Sequence, residues 1–568
     1  MNKRLIAFIL ALMLLVCLFA GCSDKSTDSS ASDTSAETET KTEEKKEEKK
    51  EEPKKEEEKK EEPKKEEEKV EEPASNFNET GWPVCNEPES FTIWASSDAT
   101  APEEFPMNKI VSEATNVYPE WICISPAAIA ERKALMWASQ DYPDVLGPSV
   151  PTKDECHQYG PMGILMPLSD LLDKYAVNFN QYADDTVRVA MMSSDGEIYF
   201  VPYLCEIDSW CRGYNINQNW LDALGLDMPT TLDEFTDVLR AFKDGDPNGN
   251  GDNTDEIPFA IAKVWSLLES VTPFIGNFGI PGDYQVIDGE VVNGYINTSF
   301  RDACIYLRDI YNEGLLDPEM FTIDNATRNA RGKGEPAVYG IVLGYTPPWH
   351  FGDNKTQYTT MPLLKDANGN TAKWYIPSLR SVDVGCQLAI TVACKNPEVV
   401  MRWCDYMMQP DNSIQVDKGP VGIMLDETYH EYGTDKLPAG YNTWSDWMAA
   451  NRFQQLPRIM TPQAFADYNL PWEKGDQQWR DERDAAYLDH VVESVQEIAP
   501  LEDETEILTM YQADVQKYIE ETMASWVTNN GNIEGEWENY LSTMEILGEG
   551  EIRKVKQQQY ERYLTLFD

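Results

Sequence analysis

From Tyr199 to Pro258 the chain runs through an apolar, aromatic strand, two short helices and an acidic loop, and the rest of the sequence has to be arranged around that series. Tyr199–Tyr203 suits a buried strand or a crossing between lobes. Trp220–Leu226 reads as a short helix, with Gly225 where a left-handed cap is expected. Thr231 is placed to cap the next helix, and Glu234, three residues on, completes a capping box. Leu232, Phe235, Val238, Leu239 and Phe242 give that helix one apolar face at helical spacing.

The loop from Asp244 to Glu256 reads DGDPNGNGDNTDE. Oxygen-bearing side chains alternate at Asp246, Asn248, Asn250 and Asp252, and Asp255 with Glu256 closes the series. A hard cation such as calcium takes about six to eight oxygens at roughly 2.3–2.6 Å, which this spacing can supply. Two registers fit. One begins at Asp244, with Gly249 sixth and Asp255 twelfth; the other begins at Asp246, with Gly251 sixth. The second is preferred, because its turn glycine directly precedes Asp252, whose carbonyl can then point inward. Structural calcium is expected here; the alternative is an acidic, solvated turn.

Elsewhere strands alternate with helices. Phe91–Ser96 (FTIWAS) is a strand, Lys109–Thr115 begins a helix, Glu131–Ser139 is a second helix and Tyr142–Gly147 a second strand. Such alternation gives an α/β sheet with parallel strands, whose ligands gather beyond the carboxyl ends of those strands. Trp94 and Asp98 fall at one such end and Gly147–Ser149 at another. Leu388–Met408 reads as a strand and then a helix of the first lobe, so the chain has crossed back. A length of 568 residues exceeds one ordinary core and calls for at least two lobes.

At the N-terminus, Lys3 and Arg4 precede an apolar run from Leu5 to Phe19, followed by Ala20-Gly21-Cys22. We expect residues 1–22 to be a lipoprotein signal peptide, with Cys22 lipidated. Residues 23–85 form a Lys/Glu-rich tether in which EEPKKEEEK recurs at 51 and 61, and nothing there can build a core. The formal net charge of −51 argues against nucleic acid or anionic lipid as partners. Nine cysteines follow Cys22, an odd number with no CxxC pair, so mostly free, buried thiols are expected.

WLDALG, MPTTLDEF and AFKDGDPNGNGDNTDEIP, with the preceding GEIYFVPY, resemble the core signature of extracellular solute-binding lipoproteins of ABC transporters, family 1, in its oligosaccharide-binding subgroup. The resemblance runs from about residue 90 to the C-terminus. It implies a two-lobed, type II periplasmic-binding-protein fold of the α/β class, with a hinge and a ligand cleft between the lobes. The first lobe would comprise 86–205 and, with a crossing, 381–500; the second would be 206–380 and carry the calcium-type loop; 501–568 would be C-terminal helices. Crossings are expected near Tyr199–Arg212 and Tyr375–Leu388. The implied partners are a carbohydrate and the permease subunits of an importer. A monomer is expected on the outer face of a Gram-positive cell membrane, held there by lipid alone.

Sugars present apolar C–H faces and a rim of hydroxyls, so a cleft for them needs flat rings and oxygen acceptors. Residues 332–349 (GKGEPAVYGIVLGYTPPW) resemble a strand of maltose-binding-type proteins that ends in a sugar-stacking tryptophan, here Trp349. Pro202–Glu206 resembles a segment whose glutamate holds sugar hydroxyls, here Glu206. Trp94, Asp98, Trp210 and Trp374 complete the candidate set. The four histidines are dispersed, and no nucleophile elbow, HExxH or phosphate loop occurs, so no enzyme is expected. The competing reading is a secreted, calcium-stabilised carbohydrate-active enzyme such as a glycosidase, which would need two opposed carboxylates.

Overall fold

Twelve strands among the described residues carry the fold. They are β1 (Thr92–Ser96), β2 (Glu120–Ile124), β3 (Val145–Leu146), β4 (Val201–Glu206), β5 (Gly213–Asn217) and β6 (Ile257–Ile261), then β7 (Tyr284–Ile287), β8 (Glu290–Asn293), β9 (Tyr339–Gly344), β10 (Tyr358–Thr360), β11 (Val382–Ile390) and β12 (Ile459–Met460). The computed structural model describes residues 75–566 except 207–211, 264–265, 367, 376–381, 442–443, 454, 471–476, 493 and 497. The expected signal peptide, Cys22, most of the tether and Trp210 lie outside the described residues.

One sheet has the order β12-β4-β11-β3-β1-β2, and a second has β10-β5-β9-β6. In the first, β1 runs parallel to β2 and β3, β12 parallel to β4, and β11 antiparallel to both β3 and β4. In the second, β6 and β9 are parallel, while β5 is antiparallel to β9 and β10. Each sheet has its own core. Ile93, Leu146, Leu204, Leu388 and Trp403 belong to the first, and Tyr214, Phe235, Phe259, Ile341 and Trp526 to the second.

Local signals fix the elements next to β5 and β6. Asn217 caps Gln218–Leu224, which ends at Gly225 with φ +65°. Thr231 and Glu234 form the reciprocal capping box on Leu232–Asp244, and Phe235, Val238, Leu239 and Phe242 are its buried face. The expected strand at Tyr142–Gly147 shrinks to Val145–Leu146. Pro143 has no N–H for a ladder, and the Asp144 carboxylate instead accepts bonds from the Thr92 backbone and hydroxyl, both at 2.8 Å. Strand β5 carried no clear signal in the sequence; the β7–β8 hairpin went unread although Asp288-Gly289, with φ +53° and +84°, is a two-residue hairpin turn.

The C-terminal helices Glu502–Thr528, Ile533–Ile546 and Glu549–Thr565 pack on the second core through Met523, Trp526, Tyr540 and Ile552. Arg562 grips Glu504 through two hydrogen bonds of 2.7 and 2.8 Å. The chain also passes between the cores a third time. Phe465 and Leu470 cluster with Met460 of β12, whereas the Trp479 indole donates to the Tyr358 carbonyl of the second sheet at 3.1 Å. No helix among the described residues is long and apolar enough to cross a membrane.

Candidate functional site

The chain leaves the first sheet at Glu206 and enters the second at Gly213; it leaves the second body after Tyr375 and rejoins the first sheet at Val382, which pairs with Glu206. The carboxyl ends of β4 and β12 therefore lie on the side of the crossings. Gly213 sits opposite Gly344, so the carboxyl ends of β6 and β9 reach that same side. Beyond strand ends of this kind, at a switch between lobes, ligands collect.

Tyr345–Trp349 occupies this edge. Pro347 and Pro348 start the short helix Pro347–Phe351, so Trp349 stands on a helical turn after β9, not on the strand as expected. Its indole is 54 % exposed and meets the Tyr345 ring edge-on at 5.9 Å. Tyr345 is itself buried, its carbonyl held by the Asn215 side chain at 2.6 Å, with the Arg212 guanidinium 5.7 Å from its ring centre. Arg212 is fixed by the Glu269 carboxylate at 2.7 Å and the Glu269 carbonyl at 2.6 Å. A rigid polar floor thus supports one flat apolar ring facing solvent, which suits the C–H face of a sugar. Sequence reasoning missed Tyr345, Arg212 and Asn215; only Tyr345, between a strand end and a proline pair, gave any hint.

His350 lies beneath this turn. Burial, with Arg328, Lys333 and Arg212 nearby, pushes its imidazole well below the ordinary histidine range, so it stays neutral. Its Nε2 packs against Gly344, where a Cβ would approach to 2.4 Å; only glycine fits. A ring so enclosed cannot exchange protons with a ligand in the cleft, which leaves it a packing role.

The other candidates divide. Asp98 is exposed just beyond β1. Trp94 is mostly buried in the first core, with Arg132 6.0 Å from its ring centre. Glu206 is the last residue of β4, and its side chain lies outside what is described. Trp374 is a correction. It is 1 % exposed and packs on Tyr487 at 4.7 Å and Tyr214 at 5.5 Å, which leaves no ring face for a ligand.

The Asp246–Glu256 loop is wound by its own side chains. Asp246 accepts from the backbone N–H of Asn250 at 3.1 Å and of Gly251 at 2.8 Å, Asn248 from Asn250 at 3.0 Å, and Asn250 from Asp252 at 2.7 Å. Asn248 and Asn250 both donate to Asp255, at 3.4 and 2.8 Å. Gly249 and Gly251 take φ +72° and +86°, which makes the curl possible. Both Glu256 carboxylate oxygens are shut off from water without a hydrogen-bond partner. Burial, followed by repulsion from Asp255, Asp246 and Asp252, pushes that carboxyl up to about 7. A buried carboxylate left unpaired beside three others is the environment a cation relieves. Among the described residues no three His, Cys, Asp or Glu side chains converge closely enough to hold a metal by themselves; this loop mixes Asp with Asn.

A hollow of about 710 Å³ on the second lobe is lined by residues including Thr231, Asp233, Asn277, Lys365 and Lys373. No indole lines it, and none of the residues above contributes to it.

Residues 146–414 match the bacterial extracellular solute-binding protein family. FusA of Streptococcus pneumoniae serotype 4, a fructooligosaccharide ABC transporter substrate-binding protein, is 26% identical over 515 residues, covering 84% of this chain and 91% of FusA. The structure of FusA in complex with kestose superposes with a TM-score of 0.71 at 25% identity, covering 84% of this chain and 100% of that one. A FusA EF-hand mutant in complex with fructo-nystose gives 0.70 at 24% identity, with 84% and 100% covered. The two sheets, the crossings between them and this near full-length relationship agree: the chain is similar over most of its length to bacterial extracellular solute-binding proteins and has the two-lobed type II α/β fold.

Proposed function

We propose that this protein captures an oligosaccharide for an ABC importer by closing two lobes over it, without covalent chemistry. The observation that carries the reading is the exposed Trp349 indole at the lobe-crossing edge, in a chain related over most of its length to FusA. The first lobe is taken as 86–205 with the return after 381, and the second as 206–380 with the C-terminal helices. Closure brings both lobes onto one ligand and expels water from the ring, so the ligand shifts an open–closed population. Trp349 stacks on a sugar ring, Asp98 or Glu206 accepts hydroxyls, and permease subunits recognise the closed form. Trp94 and Trp210 remain secondary candidates. A thermal-shift screen against glycans that includes kestose should give a rise in Tm for at least one oligosaccharide. No shift with any member would overturn the reading.

The Asp246–Glu256 loop is proposed to hold one structural calcium ion. Asp246, Asn248, Asn250, Asp255 and Glu256 would supply side-chain oxygens and Asp252 its carbonyl, with the ion neutralising the shielded Glu256 carboxylate and its acidic neighbours. A chelator should lower the Tm, and Asp246→Ala with Asp255→Ala should lower it equally and abolish the chelator effect. An unchanged melting curve in chelator would reduce the loop to an acidic turn.

Cys22 is proposed to carry the lipid that anchors the protein outside the cell, through the charged tether that follows it; the expected tether end at residue 85 is a correction, because Phe77, Val84 and Cys85 pack into the first core. Cys22→Ala should appear in the culture medium or retain its signal peptide. Undiminished membrane retention of that variant would remove the anchor from the account.

A further inference from the structure

We propose that Cys156 and Cys386 are a reversible disulfide site within the first lobe. Cys156 lies on the helix Lys153–Tyr159 and is fully buried; Cys386 lies on β11 and is half-buried. Their sulfurs are 3.6 Å apart, although 230 residues separate them in the chain. A disulfide is about 2.05 Å long, so roughly 1.5 Å of approach converts the contact into a bond.

The local structure provides that freedom on one side and rigidity on the other. The register of β11 against β4 shifts between Cys386 and Leu388, so the strand bulges there. Cys386 also faces Pro202, which has no N–H to give the ladder. The helix is fixed by the Thr152–Glu155 capping box and by the Lys133–Glu155 ion pair of 2.7 Å. A sulfur on a bulged strand thus faces a sulfur on a helix held at its N-terminus.

The order of reaction follows from exposure. The hydrogen bond with the Cys386 sulfur, and then burial, hold the Cys156 thiol well above its ordinary range, so it is not the first nucleophile. The Cys386 thiolate attacks a low-molecular-weight disulfide, forming a mixed disulfide and expelling one small thiolate. Cys156 then loses its proton and attacks the Cys386 sulfur, expelling the second small thiolate. Two protein thiols are oxidised, one small disulfide is reduced to two thiols, and the two protons released balance the two thiolates formed. An extracellular protein meets such oxidants where a cytosolic one does not. The bond would tie β11, the strand by which the chain returns from the second lobe, to the helix that follows the Gly147–Val150 turn.

Full-length folded protein is incubated with oxidised glutathione, then unfolded, alkylated and digested without reductant. The expected map contains one crosslinked peptide pair, joined through Cys156 and Cys386, and dithiothreitol removes it. Protein oxidised while unfolded in urea should give a mixture of pairings instead. Cys156→Ala and Cys386→Ala should each abolish the native crosslink, whereas Cys404→Ala, which empties another buried thiol of the same core, should keep it. Should Cys156→Ala fail to fold, Cys386→Ala and the native peptide map still decide. Alkylation of both Cys156 and Cys386 after oxidation, or glutathione on Cys386 with Cys156 still free, would overturn the proposal.

Discussion

Replacing Trp349 with alanine is expected to weaken oligosaccharide binding by about 1–3 kcal/mol, roughly five- to 150-fold in Kd, with little change in Tm. The indole is more than half exposed and touches Tyr345 only edge-on, so its removal opens no cavity in either core. What is lost is the flat apolar surface a sugar ring covers on closure. Trp349→Phe should recover part of the affinity, because a smaller ring still stacks. Calorimetric titration with melting curves separates the outcomes. A marked drop in stability with unchanged affinity would mean that the ring holds the fold rather than the ligand.

Trp374→Ala should do the reverse, costing about 3–5 kcal/mol of stability while leaving the affinity of the folded fraction within about threefold. The side chain is 1 % exposed and wedged between Tyr214 and Tyr487. Its backbone is locked by hydrogen bonds of 2.8 Å to the His490 carbonyl and 2.9 Å from the Val492 N–H. The Tyr487 hydroxyl accepts from the Tyr214 N–H and donates to the Met361 carbonyl, so the cavity would also loosen the joint between β5 and the segment after β10. The indole N–H is buried without a partner, and Trp374→Phe should therefore be milder than alanine. Chemical denaturation measures the loss; lost binding with full stability would restore Trp374 to the cleft.

These two tryptophans show where the sequence was legible. The capping box at Thr231 and Glu234, the cap at Gly225 and the oxygen-rich loop were readable because their partners lie within a dozen residues. The α/β class followed from strand–helix alternation in the same way. Trp374 was not readable, because its burial depends on Val491 and Tyr487, more than a hundred residues away. The third crossing was hidden for a similar reason: only packing shows that Leu470 clusters with Met460 of β12 while Tyr487 joins the second core. Trp349 was placed beside the correct strand but on the wrong element, since Pro347-Pro348 starts a helical turn rather than ending a strand. The floor under it joins Arg212 and Asn215, at the start of β5, to Glu269, 57 residues beyond Arg212 on the helix Leu267–Ile275, and left no local pattern.

The central claim is capture without turnover, and calorimetric titration of the full chain against a panel of oligosaccharides, kestose among them, tests it most directly. The account predicts saturable heat at one ligand per chain for at least one sugar, returning to baseline after each injection. Heat that continues after each injection would reveal a catalyst, and the absence of heat and of saturation with every sugar would contradict carbohydrate capture altogether.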